Sequence, residues 1–252
     1  MTTAALELDR IGHRFGGLKV LSSVSFVVEN GAIAGLIGPN GSGKSTLFNI
    51  LSGFIAPFSG AARLYGQPLE PMSVEKRCRA GLMRTFQTPK VFERMTVLEN
   101  LMTGVYSSTR SGLIANMLAL PRARREVVLM RDKAGLLGRR FGFERFLDVP
   151  AGKLTGGQRR MLEIARCYAA KPRLLLLDEP STGLSTEEIE QLGASLKEIN
   201  REGITLLLVS HDMRLMNIAG LVQVLYFGEI IAVGTMAEIQ NDPRVREAYL
   251  GA

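Results

Sequence analysis

The chain has 252 residues, 46% of them apolar, and a formal net charge of +7, enough length and apolar content to bury a substantial core in one α/β domain, alone or with a small satellite. The charge leaves three kinds of anionic partner open: a nucleic acid, a membrane surface or a polyanionic nucleotide. The only cysteines, Cys78 and Cys167, lie far apart with no Cys-x-x-Cys or Cys/His spacing, which argues against a disulfide framework or a zinc site and predicts a reducing compartment.

Along the chain, the first segment places Glu7 and Asp9 where a signal peptide carries basic charge, and no long apolar stretch follows, so export is not expected. Period-two alternation predicts strands at Leu6–Leu8 and Val24–Val28, and a buried strand at Ala32–Ile37. Directly after it, Gly38-Pro39-Asn40-Gly41-Ser42-Gly43-Lys44-Ser45-Thr46 contains G-x-x-x-x-G-K-[ST] and opens a helix predicted over Lys44–Leu51. In such a loop the glycines let backbone N–H groups turn inward around phosphate oxygens, and the helix N-terminus adds partial positive charge. Lys44 can then reach the β- and γ-phosphates, with the Ser45 hydroxyl on Mg²⁺.

From Val97 to Pro150 strand signals thin out and basic residues accumulate, including Arg122, Arg124, Arg125, Arg131, Lys133, Arg139 and Arg140. The stretch predicts a helical insert whose charge is either a solvated face or an anionic contact. The next strand, Arg173–Leu177, is apolar enough to be buried on both faces. It delivers Asp178 and Glu179 at its carboxyl end, the edge where open α/β sheets bind ligands. Paired with a phosphate loop, Asp178 is a candidate to hold Mg²⁺ through water, and Glu179 a base for, or orienter of, the attacking water. A helix over Glu187–Arg201, a buried strand over Ile204–Val209, a hairpin of Val222–Phe227 with Ile230–Val233 and a terminal helix complete a βαβ pattern with a mainly parallel sheet. The apolar runs fall well short of the ~18 residues of a spanning helix, so a membrane role requires a partner.

Leu154-Thr155-Gly156-Gly157-Gln158, placed before a helix predicted over Arg159–Ala169 and upstream of Asp178, resembles the Leu-Ser-Gly-Gly-Gln signature of ABC-type ATPases. The likeness runs from Leu6 to Gly251. It implies a P-loop NTPase fold: a RecA-like parallel sheet core, an N-terminal antiparallel β subdomain and an inserted α-helical subdomain. The implied division is one ABC ATPase domain over 1–252, with the nucleotide-binding core and β subdomain at 1–90 and 160–240. The insert carrying the signature occupies 91–159, and a C-terminal helix 241–252.

The same resemblance implies ATP and Mg²⁺ as ligands, with Gly38, Asn40, Gly41, Ser42, Gly43, Lys44, Ser45 and Thr46 around the nucleotide and Ser45, Gln87 and Asp178 around the metal. Thr155, Gly156, Gly157 and Gln158 would cap the ATP of a second ATPase subunit, identical or homologous, in a head-to-tail dimer. Thr155 keeps the hydroxyl of the signature serine. Phe15, in Arg14-Phe15-Gly16-Gly17, would stack on adenine, the alternative being a core phenylalanine. Gln87, in Arg84-Thr85-Phe86-Gln87, would contact Mg²⁺ and the water and report to a transmembrane partner. His211, in Val209-Ser210-His211-Asp212, would hold the γ-phosphate and Glu179 in register. Glu179, His211 and Gln87 are thus the expected catalytic residues.

Gly81-Leu82-Met83-Arg84-Thr85-Phe86-Gln87, Met95 to Leu101, Leu162 to Arg166 and Ala248-Tyr249-Leu250-Gly251 are similar to the ATPases of branched-chain amino acid importers. Relatives with that pattern also serve urea, aromatic acids and lipopolysaccharide export. This implies import of branched-chain or other hydrophobic amino acids by a peripheral subunit on the cytoplasmic face of the inner membrane. Its partners would be transmembrane permease subunits and, indirectly, a periplasmic or extracellular solute-binding protein. The permease is expected to dock along Thr88–Asn100, where Val91, Phe92 and Met95 supply apolar surface with Leu98 and Leu101 behind them. Besides the extra methyl of Thr155, two positions depart from the pattern: Ser185 stands where the family usually has aspartate or asparagine at the dimer seam, and Ser210 where this subfamily often has glutamate. An ABC ATPase acting on nucleic acid or ribosomes would share the nucleotide motifs. Such proteins usually carry tandem cassettes or coiled-coil or zinc inserts, which are missing here, so no direct nucleic-acid partner is expected. An exporter ATPase of the lipopolysaccharide type is the other alternative, and Glu179, Gln87 and His211 argue against a non-hydrolysing regulator.

Overall fold

The computed structural model describes residues 4–107 and 121–250. Contacts divide the chain into two compact units, Met1–Gln87 with Arg173–Ala252, and Thr88–Pro172.

The first unit holds two sheets. In one, β1 (Ala4–Phe15), β2 (Leu18–Glu29), β4 (Ser59–Leu64) and β5 (Gln67–Pro68) run antiparallel in the order β2-β1-β4-β5. Val24, Phe26 and Val28 point into the core while Ser25 and Val27 point out, the period-two pattern of a half-buried strand. The predicted strand at Leu6–Leu8 continues to Phe15. Its alternation breaks at exposed Asp9 and Arg10, where the pairing with β2 shifts register and Arg10 takes a φ of 49°.

The second sheet has the order β10-β9-β3-β8-β7-β6, from β3 (Ile33–Ile37), β6 (Leu82–Arg84), β7 (Leu174–Asp178), β8 (Thr205–Val209), β9 (Leu221–Tyr226) and β10 (Glu229–Gly234). Every neighbouring pair is parallel except β9 with β10. All residues of β7 and β8 are buried, as their unbroken apolar sequences require of strands covered on both faces. The parallel core, antiparallel β subdomain and helical insert are the architecture expected of a P-loop NTPase of the ABC type. Helix α1 (Lys44–Ser52) follows β3, and α2 (Val74–Arg79) precedes β6.

In the second unit, α3 (Val97–Ser107), α4 (Pro121–Arg140) and α5 (Gly156–Ala169) share a core that includes Leu98, Leu101, Ala134, Leu154, Leu162 and Ala165. Helices α3 and α5 approach closely at Gly104, where an added Cβ would run into the Arg166 carbonyl. Helix α5 lies within this unit, which runs from Thr88 to Pro172. Arg131, Lys133, Arg139 and Arg140 are exposed on α4; the side chains of Arg122, Arg124 and Arg125 lie outside the described residues.

Back in the first unit, α6 (Thr186–Arg201) buries Ile189, Leu192, Leu196 and Ile199 at helical spacing. Helix α7 (Met213–Met216) is a single turn. The predicted terminal helix is two, α8 (Met236–Asn241) and α9 (Pro243–Leu250). Pro243 biases the residue before it away from helix, and Asp242 is accordingly extended, with φ −70° and ψ 121°. Among the described residues no helix is long and apolar enough to cross a membrane.

Candidate active site

Because β3, β8, β7 and β6 are parallel neighbours, their carboxyl ends deliver four sequence-distant segments to one edge. One cavity there is lined by Asn40, Gly41, Gly43, Lys44, Ser45, Thr46, Gln87, Asp178 and Glu179, with Leu18, Val20 and Val209. Most of the residues singled out in the sequence as nucleotide, metal or catalytic candidates in this unit therefore meet in a single place.

The loop after β3 depends on its glycines. Gly43 has a φ of 107°, and a Cβ there would press on the Leu21 side chain; a Cβ at Gly38 would run into the Leu225 carbonyl. Gly43 is also the N-cap of α1, and no side chain caps that end. The first-turn N–H groups are thus left to a ligand, an arrangement that suits an anion. Lys44 Nζ donates to the carbonyls of Gly38 at 2.7 Å and Pro39 at 2.8 Å. Burial lowers the Lys44 pKa, and the nearby carboxylates of Glu179 and Asp178 oppose that shift.

Two strands away, Asp178 ends β7 and its Oδ2 accepts from Arg84 Nη2 at 2.7 Å, in an ion pair whose side chains are only 7% and 6% exposed. Glu179 takes a left-handed backbone, φ 48°, a conformation that costs a non-glycine residue roughly 1 kcal/mol or more. Its N–H donates to the Val209 carbonyl at 2.8 Å. Its Oε2 accepts from His211 Nδ1 at 2.8 Å and from the His211 backbone N–H at 3.4 Å. Beneath them, Ser181 and Ser210 share a buried hydroxyl hydrogen bond of 2.9 Å.

Phe15 is 53% exposed at the turn between β1 and β2, where its ring meets His13 edge-on at 4.6 Å. It is therefore not a core residue, and its strand partner Leu18 lines the cavity. In the second unit, Thr155 N-caps α5: Gln158 N–H donates to its hydroxyl at 3.2 Å, and Thr155 N–H donates to Gln158 Oε1 at 3.0 Å. Helix α5 so begins at Gly156, earlier than predicted, with the signature residues as its first turn. Ser185 forms the same box with Glu188 at the start of α6, which gives the unexpected serine a local role.

Among the described residues no cluster of His, Cys, Asp or Glu could hold a metal ion unaided. Mg²⁺ does not need one, since it is usually bound by one or two carboxylates, substrate phosphates and water. Ser45 and Asp178, hard oxygen donors on the same cavity wall, fit that role. Arg84 was passed over in the sequence because the carboxylate that explains it lies far along the chain, at Asp178.

This geometry is that of a nucleotide-hydrolysing cassette. Residues 21–182 match the family model described as ABC transporter, and residues 229–252 match another described as Branched-chain amino acid ATP-binding cassette transporter. The chain belongs to the ABC transporter family, as an ATP-binding and ATP-hydrolysing subunit. It is 38% identical to the high-affinity branched-chain amino acid transport ATP-binding protein LivG of Escherichia coli K12, across 100% of this chain and 99% of that one. It is 31% identical to the lipopolysaccharide export system ATP-binding protein LptB of Haemophilus influenzae, over 98% and 97%. Among solved structures, the ADP conformation of the cassette MJ1267 superimposes with a TM-score of 0.85 at 31% identity, covering all of both chains.

Proposed function

We propose that the chain energises import of branched-chain or other hydrophobic amino acids. It would sit peripherally at the cytoplasmic face of the inner membrane, on permease subunits fed by a periplasmic or extracellular solute-binding protein. The observation that carries the enzymatic half is the single cavity gathering Lys44, Ser45, Gln87, Asp178 and Glu179, with His211 gripping Glu179. The cargo is supported by the family model matched at residues 229–252 and by the full-length likeness to LivG.

In this reading the first-turn N–H groups of α1 and the Lys44 ammonium hold the β- and γ-phosphates, the phosphate oxygens replacing the carbonyl partners of Lys44. Ser45, Gln87 and, through water, Asp178 hold Mg²⁺, which when bound neutralises phosphate charge. Glu179 accepts a proton from the water whose oxygen bonds to the γ-phosphorus as the bond to the β–γ bridging oxygen breaks and ADP leaves, while His211 fixes the carboxylate's orientation. The exposed ring of Phe15 stacks on adenine. A second ATPase subunit presents its own Thr155, Gly156, Gly157 and Gln158 to that γ-phosphate, so that ATP joins a head-to-tail dimer.

Glu179→Gln tests the chemistry. The amide keeps the shape but takes no proton, so turnover is expected to fall about 10²–10⁴-fold while ATP binding persists and ATP-stabilised dimers accumulate in light scattering. Monomers alone at high concentration with ATP and Mg²⁺ would remove the dimer from this account. For the cargo, vesicles carrying the co-purifying permease and binding protein should show ATP-dependent uptake of leucine, isoleucine or valine. Uptake of none of these would reject a branched-chain cargo, and failure with phenylalanine and methionine as well would reject the wider hydrophobic class.

A further inference from the structure

We propose that Arg84 is a positioning residue for the metal site, a guanidinium tie that fixes the Asp178 carboxylate relative to the helix that begins at the phosphate loop. The inference rests on reading Asp178 as the carboxylate that holds Mg²⁺ through its water shell. One arm of the fork, Nη2, donates to Asp178 Oδ2 at 2.7 Å. The other, Nη1, donates to Asn49 Oδ1 at 2.7 Å and Ser52 Oγ at 3.3 Å. Asn49 and Ser52 belong to α1, whose first residues are Lys44 and Ser45. The guanidinium also lies over the rings of Phe48, at 5.5 Å, and Phe86, at 5.1 Å, within cation–π range.

A buried ion pair is a weak source of stability, because taking both charges out of water offsets much of their attraction. Geometry is what this one supplies. Arginine's planar fork has fixed angles between its donors, so engaging both arms sets the distance from α1 to the end of β7. Since Arg84 takes Oδ2, the other carboxylate oxygen is the one available to the cavity that Asp178 lines. The neighbouring residue adds a second hold on the same strand end: Thr85 Oγ1 accepts from the Asp178 N–H at 3.3 Å, and the Thr85 N–H donates to the Leu176 carbonyl at 2.9 Å. Outer partners of metal ligands of this kind typically change metal affinity about 10–100-fold when altered.

The test is equilibrium binding of a fluorescent ATP analogue, titrated with Mg²⁺ and repeated in EDTA, with no hydrolysis required. Arg84→Lys keeps the cation and removes the fork. Its affinity in EDTA should stay within about threefold of the parent, while the Mg²⁺ concentration for half-saturation rises at least about tenfold. Parent-like Mg²⁺ dependence in Arg84→Lys would reduce Arg84 to a bare charge and overturn the proposal. Equal weakening in EDTA and Mg²⁺ would make it a support of the loop and likewise overturn it. The double variant Asn49→Ala/Ser52→Ala leaves the ion pair in place but removes both α1 acceptors of the other arm, and should shift Mg²⁺ half-saturation in the same direction by less. It decides the matter if Arg84→Lys does not fold, and a parent-like value there refutes the tie. A parent that binds the analogue with no Mg²⁺ dependence would instead bring down the metal reading of Asp178 itself.

Discussion

At the scale of single residues, Lys44 is held by two carbonyls of its own loop, and its pKa is drawn down by burial. A cation kept partly desolvated in this way stands ready for an anionic ligand that can replace those carbonyls. Lys44→Ala is therefore expected to lower ATP turnover by at least about 10²-fold, or about 2.7 kcal/mol of barrier. Turnover within about threefold of the parent in a phosphate-release assay would refute the assignment of the loop. Lys44 and Ser45 were legible in the sequence because a contiguous loop brings their partners along with it. Asp178 and Glu179 stood out because a buried strand delivers both carboxylates at its carboxyl end in a chain that already carries a phosphate loop. Arg84 was not, since its meaning comes from Asp178 and Asn49, which only the order of strands and helices brings beside it.

At the scale of elements, helix starts carry much of the local order. Thr155, Ser185 and Thr235 each form a capping box, while Asp212 and Asp242 accept from the N–H groups that follow them. Several of these carboxyls sit below their ordinary pKa: Glu187 through a backbone N–H and the Ser185 hydroxyl, Glu238 through the Thr235 backbone and hydroxyl, and Asp242 through the Arg244 guanidinium. A folded-state pKa below the unfolded one means that the unfolded chain binds more protons in that window. The resulting stability is present above the unfolded carboxyl values, about 4 to 4.5, and is lost as pH falls through the folded ones. Urea midpoints measured from pH 6 to pH 3 should drop over the acid end, and Glu238→Gln should flatten part of that slope. An unchanged slope would assign the acid sensitivity elsewhere. Buried β7 and β8 were plain in the sequence, whereas β6 spans just three residues and offers no period to detect. Helix α5 was placed late because two glycines look like a loop, although Thr155 and Gln158 cap a helix across them.

At the scale of the whole molecule, the surface expected to meet the permease lies in the second unit. Phe92 and Met95 are exposed, at 51% and 40%, whereas Leu98 and Leu101 belong to the core. Buried Asn100 organises this loop: its Oδ1 accepts from the Phe92 N–H at 2.9 Å, and its Nδ2 donates to the carbonyls of Phe92, Met95 and Thr96. Arg166 lies 5.1 Å over the Phe92 ring. Phe92→Asp should abolish co-purification with the permease and leave basal ATPase close to the parent's. Undiminished co-purification, or hydrolysis lost in step with folding, would move the docking surface elsewhere. The division into two units was only partly legible, because the packing of α5 on α3 turns on Gly104, a residue whose neighbours cannot be read from its surroundings in the chain. The left-handed backbone of Glu179 also bears on how such a chain can be improved: position 179 favours glycine or asparagine on conformational grounds, yet the chemistry asks for a carboxylate. If Glu179 is the base proposed above, breeding the protein for heat resistance alone would reward its replacement, so the sturdiest descendants and the working ones would diverge at this codon.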